Sequence, residues 1–151
     1  MTSIEQAIQQ TKFEDPYHRA QVNVIFTSAW LNQRTARVLK PFGLSLQQFN
    51  ILRILRGRGD EPSSVRLLTE RMIDKMSNAS RLVDRLSDKE LVRRTECPTD
   101  RRRVDIVITP AGLELLEDAS AAVDAVRQEA FLALTPEEAT QLSGFLDRLR
   151  G

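Results

Sequence analysis

Cysteine and histidine are almost absent from this 151-residue sequence, which contains one of each, Cys97 and His18. A single cysteine excludes an internal disulfide and a zinc site built from several cysteines. A single histidine removes most metal sites and leaves no Ser, His and Asp set for nucleophilic catalysis. The six glycines are scattered and form no phosphate-binding loop. We therefore predict no metal and no cofactor, and a small enzyme is the weakest functional alternative.

The sequence also lacks a long apolar run. Its longest run covers only a few residues, whereas about 20 are needed to cross a bilayer, and residues 1–5 lack the basic start and apolar core of a secretion signal. With 28% charged and 41% hydrophobic residues, the composition is typical of a globular protein, and the length suits one compact domain. We predict a cytoplasmic protein with no membrane partner.

Positive charge is concentrated in the middle third of the chain. The net charge is only +1, but residues 53–103 hold 14 basic and 9 acidic side chains, whereas residues 104–151 hold 3 basic and 9 acidic ones. A local positive field attracts phosphate even when the total charge is near zero. The middle third is therefore the candidate for contact with a polyanion.

Signals for helix starts recur along the sequence. An Asp or Thr before a proline places a capping oxygen ahead of a residue suited to the first helical position, and Ser-x-x-Gln has the spacing of a capping box. These signals occur at Asp15-Pro16, Ser45-Leu46-Gln47-Gln48, Thr109-Pro110 and Thr135-Pro136. With apolar residues at helical spacing, they predict a long first helix ending at Lys40, a helix after Ser45 and two C-terminal helices.

Two short helices and a hairpin are predicted in the middle of the chain. Ser63 or Ser64 can cap the first helix, and a break at Ile73-Asp74 separates it from the second. The second helix has an apolar face of Met76, Ala79, Leu82, Val83 and Leu86, and a polar face of Ser77, Asn78, Ser80, Arg81, Asp84 and Arg85. After this helix the apolar residues recur at every second position, which predicts strands at residues 91–95 and 104–108 on either side of a basic tip.

This order of elements predicts a mainly α fold with a small β-hairpin wing. Three short helices followed by a hairpin define a winged helix-turn-helix domain, in which the last helix enters the DNA major groove and the hairpin contacts the minor groove. We assign residues 44–109 to this DNA-binding region. Residues 1–43 and 110–151 form a helical dimerisation region, because the terminal helices bear apolar stripes wider than one small domain can cover. The predicted partners are double-stranded DNA and a second copy of the chain.

The polar helix face and the hairpin carry the groups that DNA recognition requires. Ser and Asn side chains hydrogen-bond base edges, Arg binds guanine through two donors, and a guanidinium suits a narrow, electronegative minor groove. The predicted DNA contacts are Ser77, Asn78, Ser80, Arg81 and Arg85 from the helix, and Asp100, Arg101, Arg102 and Arg103 from the wing, with Arg93 and Arg94 beside them. An adaptor that uses the helical and wing surfaces for protein contacts stays open as the alternative.

Residues 44–112 contain three informative motifs: Arg81-Leu82-Val83-Asp84-Arg85-Leu86, Leu91-Val92-Arg93-Arg94, and, most specifically, Asp100-Arg101-Arg102 followed by Thr109-Pro110-Ala111-Gly112. In these motifs the sequence resembles the MarR family of bacterial transcriptional regulators. This resemblance implies a homodimeric repressor that binds an inverted repeat, with Arg102 in the minor groove and Asp100 orienting it. The family commonly has glycine after the recognition helix, where this sequence has Glu90, so we expect that helix end to be shaped differently.

The resemblance also implies release from DNA by a small aromatic or phenolic effector bound between the dimerisation and DNA-binding parts. Trp30, with Arg34 one helical turn later, offers an apolar wall and a cation for such a ligand. The alternative is that Trp30 is a core residue and Arg34 forms a surface ion pair. Oxidant-sensing relatives place a reactive cysteine near the start of the first helix, so we interpret Cys97 as an incidental thiol of the wing.

Overall fold

The structure, a computed structural model, describes residues 2–151. Met1, which belongs to the predicted dimerisation region, lies outside the described residues. The described chain contains α1 (Ile4–Ile8), α2 (Pro16–Leu39), α3 (Leu46–Arg58), α4 (Val65–Arg71), α5 (Ala79–Asp88), β1 (Val92–Cys97), β2 (Asp100–Ile108), α6 (Pro110–Phe131) and α7 (Pro136–Arg150). A 3₁₀ turn at Lys40–Phe42 follows α2. The mainly α fold with a hairpin wing is therefore confirmed.

Local cap signals determine where the helices begin. Each N-cap side chain accepts a backbone N–H from the first turn, which satisfies a donor that has no partner inside the helix. The predicted caps are confirmed at Asp15, Ser45, Thr109 and Thr135. Ser64 caps α4, and α1, which was not predicted, begins with a capping box formed by Ser3 and Gln6.

One hydrophobic core joins the helix-turn-helix segment to the start of α6. Ile51 and Leu52 of α3, Leu86 of α5, and Leu116 and Ala119 of α6 are all fully buried in the same cluster. Burial of a large aliphatic side chain contributes roughly 1.5–3 kcal/mol, so this cluster holds α5 firmly against the rest of the chain. The core therefore includes the first turns of α6, which lie inside the predicted dimerisation region of residues 110–151.

The hairpin is longer than predicted and is anchored to the body of the domain. β1 and β2 are antiparallel, and their register shifts between Glu96 and Cys97. The backbone of Ser63 adds two hydrogen bonds to Ile106 of β2, with N–O distances of 3.0 and 2.8 Å, and Ile106 is fully buried. Because a two-stranded hairpin is marginal by itself, these contacts are what fix the wing beside the helices.

The assignment of Met76 to an apolar helix face was wrong. The helix α5 begins at Ala79, so Met76 lies in the preceding loop, and its side chain is 93% exposed. Ala79, Val83 and Leu86 are buried as predicted. The apolar spacing suggested a longer helix because Met76 is three residues ahead of Ala79, but Asn78 caps the helix and sets its start.

The expectation that Glu90 changes the shape of the helix end was also wrong. Glu90 adopts the left-handed conformation, with φ of +59°, although this costs a non-glycine residue about 1–2 kcal/mol. Its N–H donates to the Ser87 carbonyl at 2.9 Å, and its carbonyl accepts the Thr109 hydroxyl at 2.7 Å. The following N–H, of Leu91, donates to Leu86 at 3.0 Å. These bonds on both sides of Glu90 offset the backbone strain.

The terminal helices leave large apolar side chains exposed. The helix α7 has no buried residue, and Leu142, Phe145 and Leu149 lie on its surface 42%, 61% and 71% exposed. In α2 only Leu39 is buried, whereas Ile25 is 62% exposed. Within residues 2–151 no helix is both long enough and apolar enough to span a membrane.

Candidate nucleic-acid interface

The exposed end of α5 presents hydrogen-bond donors and cations. Ser80, Arg81 and Arg85 are exposed as predicted. The Asn78 side-chain oxygen accepts the backbone N–H of Arg81 at 3.1 Å, so it is used for the helix cap, and the residue as a whole is exposed. Ser77 is half-buried, with its hydroxyl oxygen covered. The structure thus brings four of the five predicted helix residues to the surface and holds Ser77 back in the loop.

A depression of about 290 Å³ lies beside this end of α5. It is lined by Gln47, Asp74, Ser77, Asn78, Arg81, Leu82 and Arg85. A recognition helix contacts base edges with its N-terminal residues, and Arg81 lies in the first turn of α5. The geometry therefore suits a base edge or a phosphate against this surface.

The loop that leads into α5 is anchored to α3. The Ile73 N–H donates to the Asn50 side-chain oxygen at 2.9 Å, and the Gln47 amide donates to the Asp74 carboxylate at 3.4 Å. The Met76 N–H donates to the same carboxylate at 3.0 Å. The backbone N–H of Met76 and the Gln47 amide hold the pKa of Asp74 below its ordinary value. These bonds position the N-terminus of α5 relative to the core.

The wing tip is organised by Asp100. Its carboxylate accepts the backbone N–H of Arg102 at 3.0 Å, so it orients Arg102 through the main chain rather than through the guanidinium. At the same turn the Cys97 thiol lies 3.3 Å from the Thr99 hydroxyl, and this hydroxyl together with nearby backbone N–H groups holds the pKa of Cys97 below its ordinary value. The turn thus presents Arg102 on a defined backbone.

The wing arginines differ in whether the chain already neutralises them. Arg94 forms an ion pair with Asp84 of α5, which ties the wing to the recognition helix, and Arg103 pairs with the buried Asp105 at 3.0 Å. Within the described part of the chain, Arg101 and Arg102 form no such pair and are exposed. Arg93 of β1 is likewise exposed and forms no such pair, so Arg93, Arg101 and Arg102 are the wing cations that are available to DNA, whereas Arg103 has an internal partner.

Trp30 and Arg34 contact each other, as their spacing predicts. The Arg34 guanidinium lies 4.9 Å from the centre of the Trp30 ring, and it also forms an ion pair of 2.6 Å with Glu129 of α6. Trp30 is 39% exposed and is therefore not a core residue of the single chain. Neither side chain lines the large cleft described next, so their role in ligand binding stays a prediction.

Sequence reasoning missed a cleft of about 640 Å³ between α2, α3 and α6. It is lined by Asn32, Thr35, Leu46, Gln47, Phe49, Asn50, Arg53, Ile54, Arg71, Ile73, Asp74 and Val123. The Arg53 guanidinium lies 5.8 Å from the centre of the Phe49 ring. The spacing of Phe49 and Arg53 is the same i, i+4 spacing that singled out Trp30 and Arg34, so the same signal could have identified this pair.

The exposed N-terminal turn of α5, the anchored wing and the unpaired arginines at its tip define a winged helix-turn-helix DNA-binding protein. Comparisons with known proteins agree with this class. A model of the MarR family matches residues 42–103, which cover the helix-turn-helix and most of the wing.

Two characterised relatives and one solved structure illustrate the similarity. The HTH-type transcriptional regulator MhqR of Bacillus subtilis (strain 168) is 29% identical over 119 residues, which cover 79% of this chain and 81% of MhqR. The HTH-type transcriptional repressor IacR of Pseudomonas putida is 28% identical over 115 residues, covering 76% of this chain and 68% of IacR. The organohalide-sensing regulator RdhR-CbdbA1625, solved with 2,4-dichlorophenol bound, has a TM-score of 0.82 at 24% identity, covering 93% and 85% of the two chains, and shares the fold.

Over residues 42–103 the chain is similar to the MarR family. It is a DNA-binding transcriptional regulator and not an enzyme.

Proposed function

We propose that the protein is a homodimeric repressor that binds an inverted repeat in double-stranded DNA, in the cytoplasm. Two features of the surface carry this proposal. Arg81 is exposed in the first turn of α5, and Arg102, which has no ion-pair partner in the described chain, is exposed on the wing tip whose backbone Asp100 orders. Arg81 and its neighbours Asn78, Ser80 and Arg85 read base edges in the major groove, while the wing cations bind the adjacent backbone and minor groove. The name of the relative IacR supports repression as the outcome.

Dimerisation follows from the apolar surface of the terminal helices. Leu142, Phe145 and Leu149 repeat at helical spacing along one side of α7 and remain exposed in the single chain. Large exposed apolar patches on a small protein mark interaction sites, and a second copy covers α7 and α2 in a symmetric contact. Residues 1–43 and 110–151 thus form the dimerisation region, and residues 44–109 the DNA-binding region.

Selection from random double-stranded DNA tests the proposal. We expect an inverted repeat with half-sites about one helical turn apart. If about six to ten phosphates are neutralised, the affinity should fall roughly 10³- to 10⁵-fold between 50 and 200 mM salt. Arg127→Ala, which removes an exposed arginine of α6, serves as the control and should leave the salt dependence unchanged. Recovery of no palindrome, or a flat salt response, would contradict the proposal.

We further propose that an aromatic or phenolic acid releases the dimer from DNA by binding in the cleft. Phe49 and Val123 supply apolar contacts, and Arg53 supplies a cation for a carboxylate or phenolate. The bound 2,4-dichlorophenol named for RdhR-CbdbA1625 supports this chemical class. Trp30 with Arg34 remains the alternative site, although Glu129 already neutralises Arg34.

The cleft has a direct structural link to the DNA-binding surface. Gln47 and Asp74 line both the cleft and the depression beside α5, and they are joined by a hydrogen bond of 3.4 Å. A ligand that contacts Gln47 can weaken this bond and change the position of the loop before α5. Release requires that the ligand favour one dimer shape over the other by a few kcal/mol, because tight binding to both shapes has no effect.

Titration of salicylate into the DNA complex tests whether a bound ligand releases the protein from DNA. Arg53→Ala should abolish release if the ligand lies in the cleft, while Trp30→Ala should abolish it if the ligand lies on α2. Equal release from the wild type and both variants would remove both sites from consideration.

A further inference from the structure

We propose that Met76 is a specificity-determining residue that contacts the 5-methyl group of a thymine in the major groove. The proposal deepens the DNA-binding function above and rests on it. It adds an apolar contact to a surface that otherwise offers hydrogen-bond donors and positive charge.

The first argument for this contact is the position of Met76 just before the start of α5. Met76 lies two residues before the Asn78 cap of α5, and its side chain is 93% exposed, which is the largest exposure among the bulky apolar residues of the described chain. The residues at the N-terminal end of a recognition helix are the ones that reach base edges. When α5 is placed in the major groove so that Arg81 contacts a base edge, the exposed Met76 side chain therefore reaches the base edges as well.

The loop presents Met76 in a fixed position. The Met76 N–H donates to the Asp74 carboxylate at 3.0 Å, and that carboxylate also accepts the Gln47 amide from α3. One residue earlier in the loop than Asp74, the Ile73 N–H donates to Asn50 of α3 at 2.9 Å. Because the backbone on the N-terminal side of Met76 is tied to α3, little ordering of the main chain is needed when DNA binds.

The chemistry of the surroundings selects DNA over an apolar protein partner. Lys75 precedes Met76, and Asn78 and Arg81 follow it, all of them exposed. A flat apolar protein surface would have to desolvate these polar and charged groups without partners, at a cost for each one. In the major groove, phosphates and base edges satisfy them, and the thymine methyl is the one apolar group that a base pair presents there. The unbranched thioether of methionine adapts to such a small target.

Replacement of thymine by deoxyuridine tests the contact, because it removes only the methyl group. The probe is the duplex recovered by selection, with each thymine replaced singly by deoxyuridine, and the readout is the dissociation constant by fluorescence anisotropy. At one position in each half-site the wild type should lose about fourfold in affinity, which is the value of one buried methyl-sized group.

Met76→Ala should bind the thymine duplex about fourfold more weakly and should be insensitive to deoxyuridine at that same position. Met76→Leu should retain the sensitivity, since it keeps an apolar side chain of similar size.

The proposal is overturned if the wild type is insensitive at every thymine, or if Met76→Ala keeps the full sensitivity. Failure of the proposed function is distinguishable, because selection would then yield no specific duplex on which to make the substitutions.

Discussion

The contact between Gly112 and the base of the wing allows a quantitative prediction. Gly112 lies in the first turn of α6, and a Cβ added there would stand 2.1 Å from the Leu91 carbonyl oxygen and 2.8 Å from Cγ1 of Ile108. The Leu91 carbonyl accepts the Thr109 N–H at 3.1 Å, so it cannot move without loss of that bond. Overpacking costs about 1–3 kcal/mol and a lost hydrogen bond about 1 kcal/mol. Gly112→Ala should therefore lower the free energy of unfolding by about 2–4 kcal/mol.

Urea unfolding followed by circular dichroism measures this loss at one fixed protein concentration, because the apparent stability of the proposed dimer would depend on concentration. Gly57→Ala is the matched control: no atom lies within 4 Å of its added Cβ, and alanine in a helix is favoured over glycine by up to about 1 kcal/mol. Gly112→Ala should also weaken DNA binding, since α6 and the wing are forced apart. An unchanged urea midpoint for Gly112→Ala would refute the packing argument.

Three further predictions concern the helix end, the dimer and the loop before α5. Glu90→Gly should raise the free energy of unfolding by about 1 kcal/mol in the same urea assay, because glycine adopts the positive φ without strain. Phe145→Glu should convert the dimer to a monomer in sedimentation, since it places a charge on the exposed apolar side of α7; an unchanged dimer would remove α7 from the interface. NMR titration of the Asp74 carboxyl should give a midpoint below its ordinary 3.8. The depressed pKa means that the ionised carboxylate stabilises the fold above pH 3.8 and that this contribution is lost as the pH falls through the lower, folded-state pKa.

The helix starts and the core faces could be predicted because their signals are local. The caps at Asp15, Ser45, Thr109 and Thr135 each need only a few neighbouring residues. The buried face of α5 follows from its 3.6-residue period. The alternation of apolar and polar residues predicted the position of the wing, although the predicted strands were shorter than the observed ones.

The errors arose where distant contacts decide the local structure. Glu90 stays left-handed because Thr109, 19 positions later, donates to its carbonyl. Arg34 forms the surface ion pair that the sequence left open as an alternative, but its partner, Glu129, lies on another helix and could not be identified from the position of Arg34 in α2. Met76 was assigned to the core because its spacing fits an apolar face, while the cap at Asn78 and the anchored loop decide its exposure.

The most direct test of the central claim is the binding energy of Arg81→Ala and Arg102→Ala across a library of operator variants. We propose that α5 reads the bases and that the wing positions the protein on the DNA backbone. Arg81→Ala should lose about 1–3 kcal/mol of discrimination at one base position of each half-site, whereas Arg102→Ala should weaken binding to all sequences, with the largest loss where the minor groove is narrow. A uniform loss of affinity by both variants would contradict this division between helix and wing.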